Sequence, residues 1–319
     1  MTEIASTIGR VVTESAARGD GAGARILKGA PLAAQLRDEV SQDAERLRQE
    51  YGYSPVLAAV RLGREEASGV YVRQILRTCE LVGVPSRVVE LASSTNEAEL
   101  RRQLERLNAD PEVAGIIVQM PLPDHIPLAA VTDTILPVKD IDGIHPLNTG
   151  LMALGYDSFL PACAEAAVSM LKGSGYGLEG KRAVVIGRSN VVGKPVQLLL
   201  MREHCTVTVC HRRTRDLAAE TRRAEILVSA AGAPGLVTGE MLTPGALIVD
   251  VGINVVPQGI VGDVDFESAR EVAAAITPVP GGVGPLTNAV LLEHLVRAAR
   301  WQATNHPITA GHGRRRATA

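Results

Sequence analysis

Aromatic side chains are scarce in this sequence, with 2 Phe, 5 Tyr and 1 Trp making up 3% of its residues. Any aromatic stacking surface must therefore be small and local, which makes Tyr71 conspicuous. Cysteine is nearly missing too. Cys79, Cys163, Cys205 and Cys210 lie in or beside apolar segments and form no C-x-x-C pair. That favours buried thiols in a reducing cytoplasm over a disulfide framework or zinc, and no metal site is expected. Neither sign of charge dominates: 33 Lys and Arg against 35 Asp and Glu leave a net charge of -2, which removes the electrostatic case for a nucleic-acid partner. The basic cluster Arg314-Arg315-Arg316 is too short to count as more than a solvated end. There is no run of 18 apolar residues and no charged-then-apolar leader, so neither a membrane span nor a secretory signal is expected.

What is present is an ordinary globular composition, 46% hydrophobic and 21% charged, in 319 residues, long enough for two domains. Residues 1–24 read as a flexible Gly/Ala-rich arm and 302–319 as a flexible tail. Ala24 to Glu50 carries Leu32, Leu36, Val40 and Leu47 at helical spacing and predicts one amphipathic helix. Three short apolar runs then alternate with helical patterns: strands at Val56–Gly63, Ser86–Leu91 and Gly115–Gln119, and helices at Ser68–Val82 and Asn96–Leu107, with Asn96 as N-cap. This βαβαβ order predicts a parallel, helix-covered sheet over 25–155. A second α/β unit is expected over 156–285, from the apolar runs near Lys181, Thr206–Cys210, Glu225–Gly232 and Ala246–Gly252. The segment Thr277 to Pro285, with three prolines and three glycines, is predicted to be neither helix nor inner strand. A helical pattern resumes over 286–301.

The second unit is organised around Lys181 to Pro195, an apolar strand that breaks at Gly187 and opens a helix at Pro195. A strand, a glycine turn and a helix N-terminus make an anion site, with Gly187 and Gly193 letting backbone approach a pyrophosphate and free amides facing it. The spelling is not G-x-G-x-x-G, so an ordinary βα turn remains open at this point. The next strand ends in His211-Arg212-Arg213, about where a dinucleotide domain reads the ribose. Basic side chains there favour a 2′-phosphate, and hence NADP over NAD, against the plainer reading of a solvated basic turn.

Six ordered motifs extend this: Val118-Gln119-Met120-Pro121, Lys139-Asp140-Ile141-Asp142-Gly143, Gly187 to Pro195, Val249-Asp250-Val251-Gly252-Ile253-Asn254, Gly262-Asp263-Val264-Asp265 and Thr277 to Pro285. Together, from Leu27 to Arg300, they resemble the methylenetetrahydrofolate dehydrogenase/cyclohydrolase family. The resemblance implies a folate-binding α/β domain over 25–155 completed by the helix 286–301, an NADP-binding Rossmann-like domain over 156–285, a cleft between them, and a homodimer. It implies that Tyr71 stacks on the pterin and Asp142 pairs with its N–H donors. By the same resemblance Gln119 stands near the reacting carbon, with Val118, Met120, Pro280, Gly281, Gly282, Val283 and Gly284 lining the pocket. Gly187, Arg188, Ser189, Val192, Gly193, His211, Arg212, Arg213, Gly252 and Ile253 fall at cofactor positions.

One departure dominates. The family's Tyr-Val-x-x-Lys reads Tyr71-Val72-Arg73-Gln74-Ile75 here, so an apolar residue holds the catalytic lysine's place. Neither Arg73 nor Arg77 faces the same side of the helix. Hydride transfer needs mainly positioning, whereas opening the methenyl ring with water needs proton management, so losing lysine strikes hydrolysis harder. The expectation is an NADP-dependent dehydrogenase with weak or absent cyclohydrolase activity. The alternatives are a fully bifunctional enzyme using another base, such as water held by Gln119, or a specialised folate-binding paralogue. Ile75→Lys should then raise formyl product if the remaining site is intact, or depress both activities if Ile75 is packed among apolar neighbours. Milder departures are Pro161-Ala162-Cys163-Ala164 for the usual Pro-Cys-Thr-Pro, and Arg212 for a serine.

Overall fold

The computed structural model describes residues 23–63 and 66–304, with the side chains of 66–71 outside that description. The expected arm therefore lies almost wholly outside the described residues, as does most of the tail. The chain divides into two units, drawn from the described parts of Met1–Ala33 with Cys163–Thr287, and of Ala34–Ala162 with Asn288–Ala319. In chain order the elements begin with β1 (Arg25–Ile26), α1 (Gly29–Tyr51), β2 (Val56–Leu62), α2 (Glu66–Val82), β3 (Ser86–Leu91), α3 (Glu97–Ala109) and β4 (Val113–Val118). Then come α4 (Ala129–Thr132), α5 (Pro146–Ala153), α6 (Ala162–Lys172), β5 (Arg182–Ile186), α7 (Gly193–Arg202), β6 (Thr206–Cys210), α8 (Leu217–Thr221) and β7 (Ile226–Ser229). The chain closes with β8 (Leu247–Asp250), β9 (Asn254–Val256), β10 (Gly259–Val261), α9 (Phe266–Arg270), β11 (Ala275–Ile276) and α10 (Val283–Ala303).

The unit built around 34–162 carries a three-stranded parallel sheet in the order β3-β2-β4. Its central strand and β4 bury nearly every side chain, as expected of parallel strands covered on both faces. Helix α3 shows why this sequence coils where it does: the Asn96 side chain accepts the Glu99 N–H at 2.9 Å, and Leu100, Leu104 and Leu107 form its buried stripe. That stripe packs with Val60, Ile116 and Val118.

The other unit carries a six-stranded sheet in the order β1-β11-β8-β7-β5-β6, all pairs parallel. The order reverses between β5 and β7. In doubly wound folds ligands bind beyond the carboxyl ends of the strands at such a switch point. The adjoining β9 and β10 form a separate antiparallel hairpin.

Two expectations about local structure are corrected. Residues 24–28 are not the start of a helix: Arg25–Ile26 pairs with Ala275–Ile276, and the Leu27 N–H donates to Ile276 O at 2.8 Å. The helix starts only at Gly29. Nor is the whole of Thr277 to Pro285 non-helical, since α10 begins at Val283 and includes Gly284 and Pro285. Proline is tolerated there because first-turn N–H groups lack helical partners anyway.

Candidate functional site

Within the unit of 34–162, the expected substrate residues gather at the C-terminal edge of the sheet. Lys139-Asp140-Ile141-Asp142-Gly143 is resolved by the structure into separate tasks. The buried Lys139 Nζ donates to Leu107 O (3.2 Å), Asn108 O (2.8 Å) and Asp110 O (2.8 Å), closing the C-terminal end of α3. Burial lowers the pKa of this ammonium from its ordinary value. Asp140, also buried, accepts from Ile144 N (3.1 Å), His145 N (2.8 Å) and Asn148 Nδ2 (2.8 Å), and so fixes the turn entering α5. Gly143 is needed at φ +70°, where a Cβ would meet Leu160 O at 2.3 Å.

Asp142 is the member of this motif left with a partly exposed residue surface and no side-chain hydrogen bond among the described residues. Burial and the neighbouring Asp140 push its carboxyl up to about 7, with His294 pulling the other way. His294 is itself buried, its Nδ1 at 2.7 Å from Ile141 O, so that Nδ1 carries the hydrogen and the ring is fixed beside residue 142.

Val118 is buried and Met120 exposed at the end of β4. Gln119 donates from Nε2 to Met120 O at 2.7 Å, which leaves its Oε1 buried with no hydrogen-bond partner. An acceptor in that state is matched by a donor from a ligand or water. Tyr71 lies in α2, but its side chain is outside the described residues. Ile75, one turn on, is 0% exposed and among the largest fully buried side chains of the chain. It occupies a packed apolar position.

In the unit of 163–287, the expected cofactor residues gather at the switch point. Ile186 pairs with Cys210, and the Gly187 N–H donates to Cys210 O at 2.9 Å, so the turns after β5 and β6 run side by side. Arg188, Arg212 and Arg213 are exposed there, and none has a side-chain hydrogen bond or ion pair among the described residues. His211 organises its turn: its N–H donates to Thr214 Oγ1 (2.9 Å), and its Nδ1 accepts from the Arg213 N–H (3.2 Å). The nearby Asp216 accepts the Ala219 N–H at 2.9 Å as the N-cap of α8.

The structure gives the glycines and the helix end a packing role. A Cβ on Gly193 would lie 2.2 Å from Gly187 O, and one on Gly187 would lie 2.2 Å from Ala230 O. These glycines let the turn, the helix and the end of β7 touch one another, which is a packing requirement inside the fold. The first-turn amides of α7 are also spoken for. Val192 N and Gly193 N donate to Ser189 Oγ (3.1 and 3.3 Å), Lys194 N donates to Ser189 O (3.0 Å), and Pro195 has none. Positive charge at this turn is carried by the exposed Arg188, Arg212 and Arg213 and by the helix dipole.

Sequence reasoning overlooked two supports of this site. Asp263 accepts from Ala231 N (2.6 Å), Gly232 N (3.2 Å), Ala233 N (2.9 Å), Ser229 Oγ (3.2 Å) and Asn254 Nδ2 (2.9 Å), tying the loop after β7 to the hairpin. Asp250, pushed up to about 6 by burial, accepts from Gly252 N (2.9 Å), Asp263 N (3.1 Å) and Val264 N (2.8 Å). Together they set Gly252 and present Ile253, 67% exposed, as an apolar surface. Pro280 and Gly281 are exposed while Gly282 and Val283 are buried, and Gly284 is exposed in the first turn of α10. The loop is held by Gly29, whose N–H donates to Gly281 O at 2.9 Å and whose Cβ, if present, would overlap Gly282 O at 1.9 Å. The signal for Gly29 was a glycine at a helix start, indistinguishable in sequence from an ordinary cap.

Comparison with known proteins bears on both units. The family model described as Tetrahydrofolate dehydrogenase/cyclohydrolase, catalytic domain, matches residues 27–142, and that described as Tetrahydrofolate dehydrogenase/cyclohydrolase, NAD(P)-binding domain, matches 161–303. The Bifunctional protein FolD of Moorella thermoacetica is 50% identical over 278 residues, covering 87% of this chain and 99% of its own length. The bifunctional methylenetetrahydrofolate dehydrogenase/cyclohydrolase of Campylobacter jejuni superposes with a TM-score of 0.84 at 41% identity, over 87% of this chain and 99% of that one. The Trypanosoma brucei dehydrogenase-cyclohydrolase, solved with NADP cofactor and inhibitor, gives 0.85 at 37%, over 88% and 99%.

Proposed function

The chain belongs to the tetrahydrofolate dehydrogenase/cyclohydrolase family, and on that premise we propose that this NADP-dependent 5,10-methylenetetrahydrofolate dehydrogenase has a cyclohydrolase step that is weak or lost. The observation that carries the reading is the complete burial of Ile75 at the family's lysine position. An apolar side chain there supplies neither a proton nor a cation to the water that must open the methenyl ring.

Hydride transfer asks less of the protein. NADP, when bound, takes the hydride from the methylene carbon, and the substrate's own nitrogen lone pairs stabilise the resulting cation. The chain's task is positioning. Asp142 accepts from the pterin's N–H donors, Gln119 aims its unpartnered Oε1 at the ligand, and Tyr71 stacks on the ring. Arg188, Arg212 and Arg213 fit a 2′-phosphate because all three are unpaired and lie on adjacent turns. Ile253 and the Pro280 to Gly284 loop line the pocket. The protein acts as a cytoplasmic homodimer. The fully bifunctional alternative draws on the names of the relatives and on Gln119, whose free acceptor can hold a water.

Asp142 gives the substrate site a pH dependence. Its carboxyl titrates near 7, and only the ionised form accepts two N–H donors, so folate affinity is expected to rise with pH and level off above that value. Stability runs the other way. A carboxyl raised from 3.8 in the unfolded chain to about 7 in the fold stabilises fully below 3.8 and loses that contribution as pH climbs through 7. Asp142→Asn is expected to flatten both dependences and to weaken folate binding by ~10-fold at pH 8, with NADP binding unchanged. Calorimetric titration across pH 5.5–8.5 checks this, and wild-type affinity that is flat with pH contradicts it. The function itself is tested by supplying 5,10-methylenetetrahydrofolate with NADP⁺ or NAD⁺. NADPH formation well above NADH formation supports the assignment, and no turnover with either cofactor overturns it.

A further inference from the structure

Helix α10 contributes residues 288–303 to the unit of 34–162, and their contacts fix the helix direction against β4. Gln302 Nε2 donates to Ala114 O at 2.8 Å, and a Cβ on Gly115 would meet Leu295 Cδ1 at 2.8 Å. His294 lies against Ile141, beside the bridge between Ile116 and Asp140. Going backward along the helix from 302 to 294 thus goes forward along β4 from 114 to 116, and the two run antiparallel. Seven residues make almost two full turns, so Asn288 lies on the same stripe as Leu295, about 10 Å nearer the helix start. Over ~13 Å the strand climbs from Gly115 to Gln119. Asn288 therefore lies toward the same end of the sheet as Gln119 and Asp142.

Asn288 is 8% exposed, and its Oδ1 is buried with no hydrogen-bond partner, the same state as Gln119 Oε1. Buried acceptors are almost always paired in a finished fold; a third orphaned amide oxygen among the described residues of this unit, Asn148 Oδ1, belongs to a side chain already tied to Pro137 O and Asp140. The rest of the stripe is apolar or bonded: Leu291, Leu292 and Leu295 are buried in the core, and Gln302 is satisfied. We propose that Asn288 is a substrate-binding residue whose Oδ1 accepts a hydrogen bond from a ring N–H of the reduced pterin, next to Gln119. This rests on the folate reading above. A reduced pterin carries more N–H donors than one carboxylate can accept, and the two free amide oxygens match the surplus.

The test is steady-state kinetics and thermal melting of Asn288→Ala and of Asn288→Leu, the latter keeping the side-chain volume. Both variants are expected to raise the KM for methylenetetrahydrofolate about tenfold, to leave the KM for NADP⁺ within about twofold, and to keep or raise Tm, since an unpaired buried acceptor is removed. A structural asparagine would lower Tm and raise both KM values together, and that outcome overturns the proposal. An unchanged folate KM, or failure of both variants to fold, overturns it too. If the wild-type protein turns over methylenetetrahydrofolate and the variants match it, only the role of Asn288 falls. If the wild-type protein does not turn it over, the folate reading falls and takes Asn288 with it.

Discussion

Replacing Arg212 and Arg213 together by alanine is expected to raise the KM for NADP⁺ by ~10²-fold or more while moving that for NAD⁺ only a few fold. A charge-assisted hydrogen bond contributes roughly 1.5–3 kcal/mol, so two such contacts to one phosphate are worth roughly 3–6 kcal/mol. Two features of the structure bear on the size of the effect. The turn that carries both side chains is already fixed by His211 and Thr214 through bonds of 2.9 and 2.7 Å, so only the side chains themselves remain to be ordered on binding. Neither guanidinium has an acidic partner to leave, since the nearest carboxylate in sequence, Asp216, caps α8. Initial rates with each cofactor at fixed folate check the prediction. Equal loss with NADP⁺ and NAD⁺ would mean that the turn shapes the pocket in general and does not read the 2′-phosphate.

Ile75→Lys is the second large effect. A lysine at a position of 0% exposure must either bury an ammonium without a partner or give up its proton. The expected loss of stability is roughly 3–5 kcal/mol, or about 10 °C in Tm, with dehydrogenase activity falling and no gain of formyl product. Ile75→Met conserves volume and polarity and should cost less than about 1.5 kcal/mol, which separates the charge from mere repacking. Of the two outcomes open from sequence alone, burial selects this one. A lysine variant that kept its Tm and gained formyl product would show that position 75 opens onto the site and that the remaining hydrolytic machinery is present.

What could be read from the sequence follows physical range. Apolar runs such as Gly115–Gln119 and the cap at Asn96 announce themselves within a few residues, and the strand, observed over Val113–Val118, and the helix came out within two residues of where they were expected. The strand at Arg25–Ile26 did not, because its partner lies some 250 residues away and nothing local marks it. Position 75 was legible as a departure but not as a packed one, since burial is decided by neighbours from other elements. The glycines at 187 and 193 were correctly singled out for close approach, but what approaches them is backbone. Lys139 and Asp140 read as part of a site motif and prove to hold the end of α3 and the turn into α5. An orphaned acceptor such as that of Asn288 has no sequence signature at all, because it is defined by a missing partner.

The account turns on the separation of oxidation from hydrolysis, and one time course addresses it. The wild-type protein is given 5,10-methylenetetrahydrofolate and NADP⁺, and methenyl absorbance and 10-formyl product are followed together. The account predicts that methenyltetrahydrofolate accumulates in step with NADPH, while formyl product appears only at the rate of the uncatalysed hydrolysis. Formyl product that keeps pace with NADPH, with no methenyl build-up, would contradict it and show that another group does the work of the missing lysine.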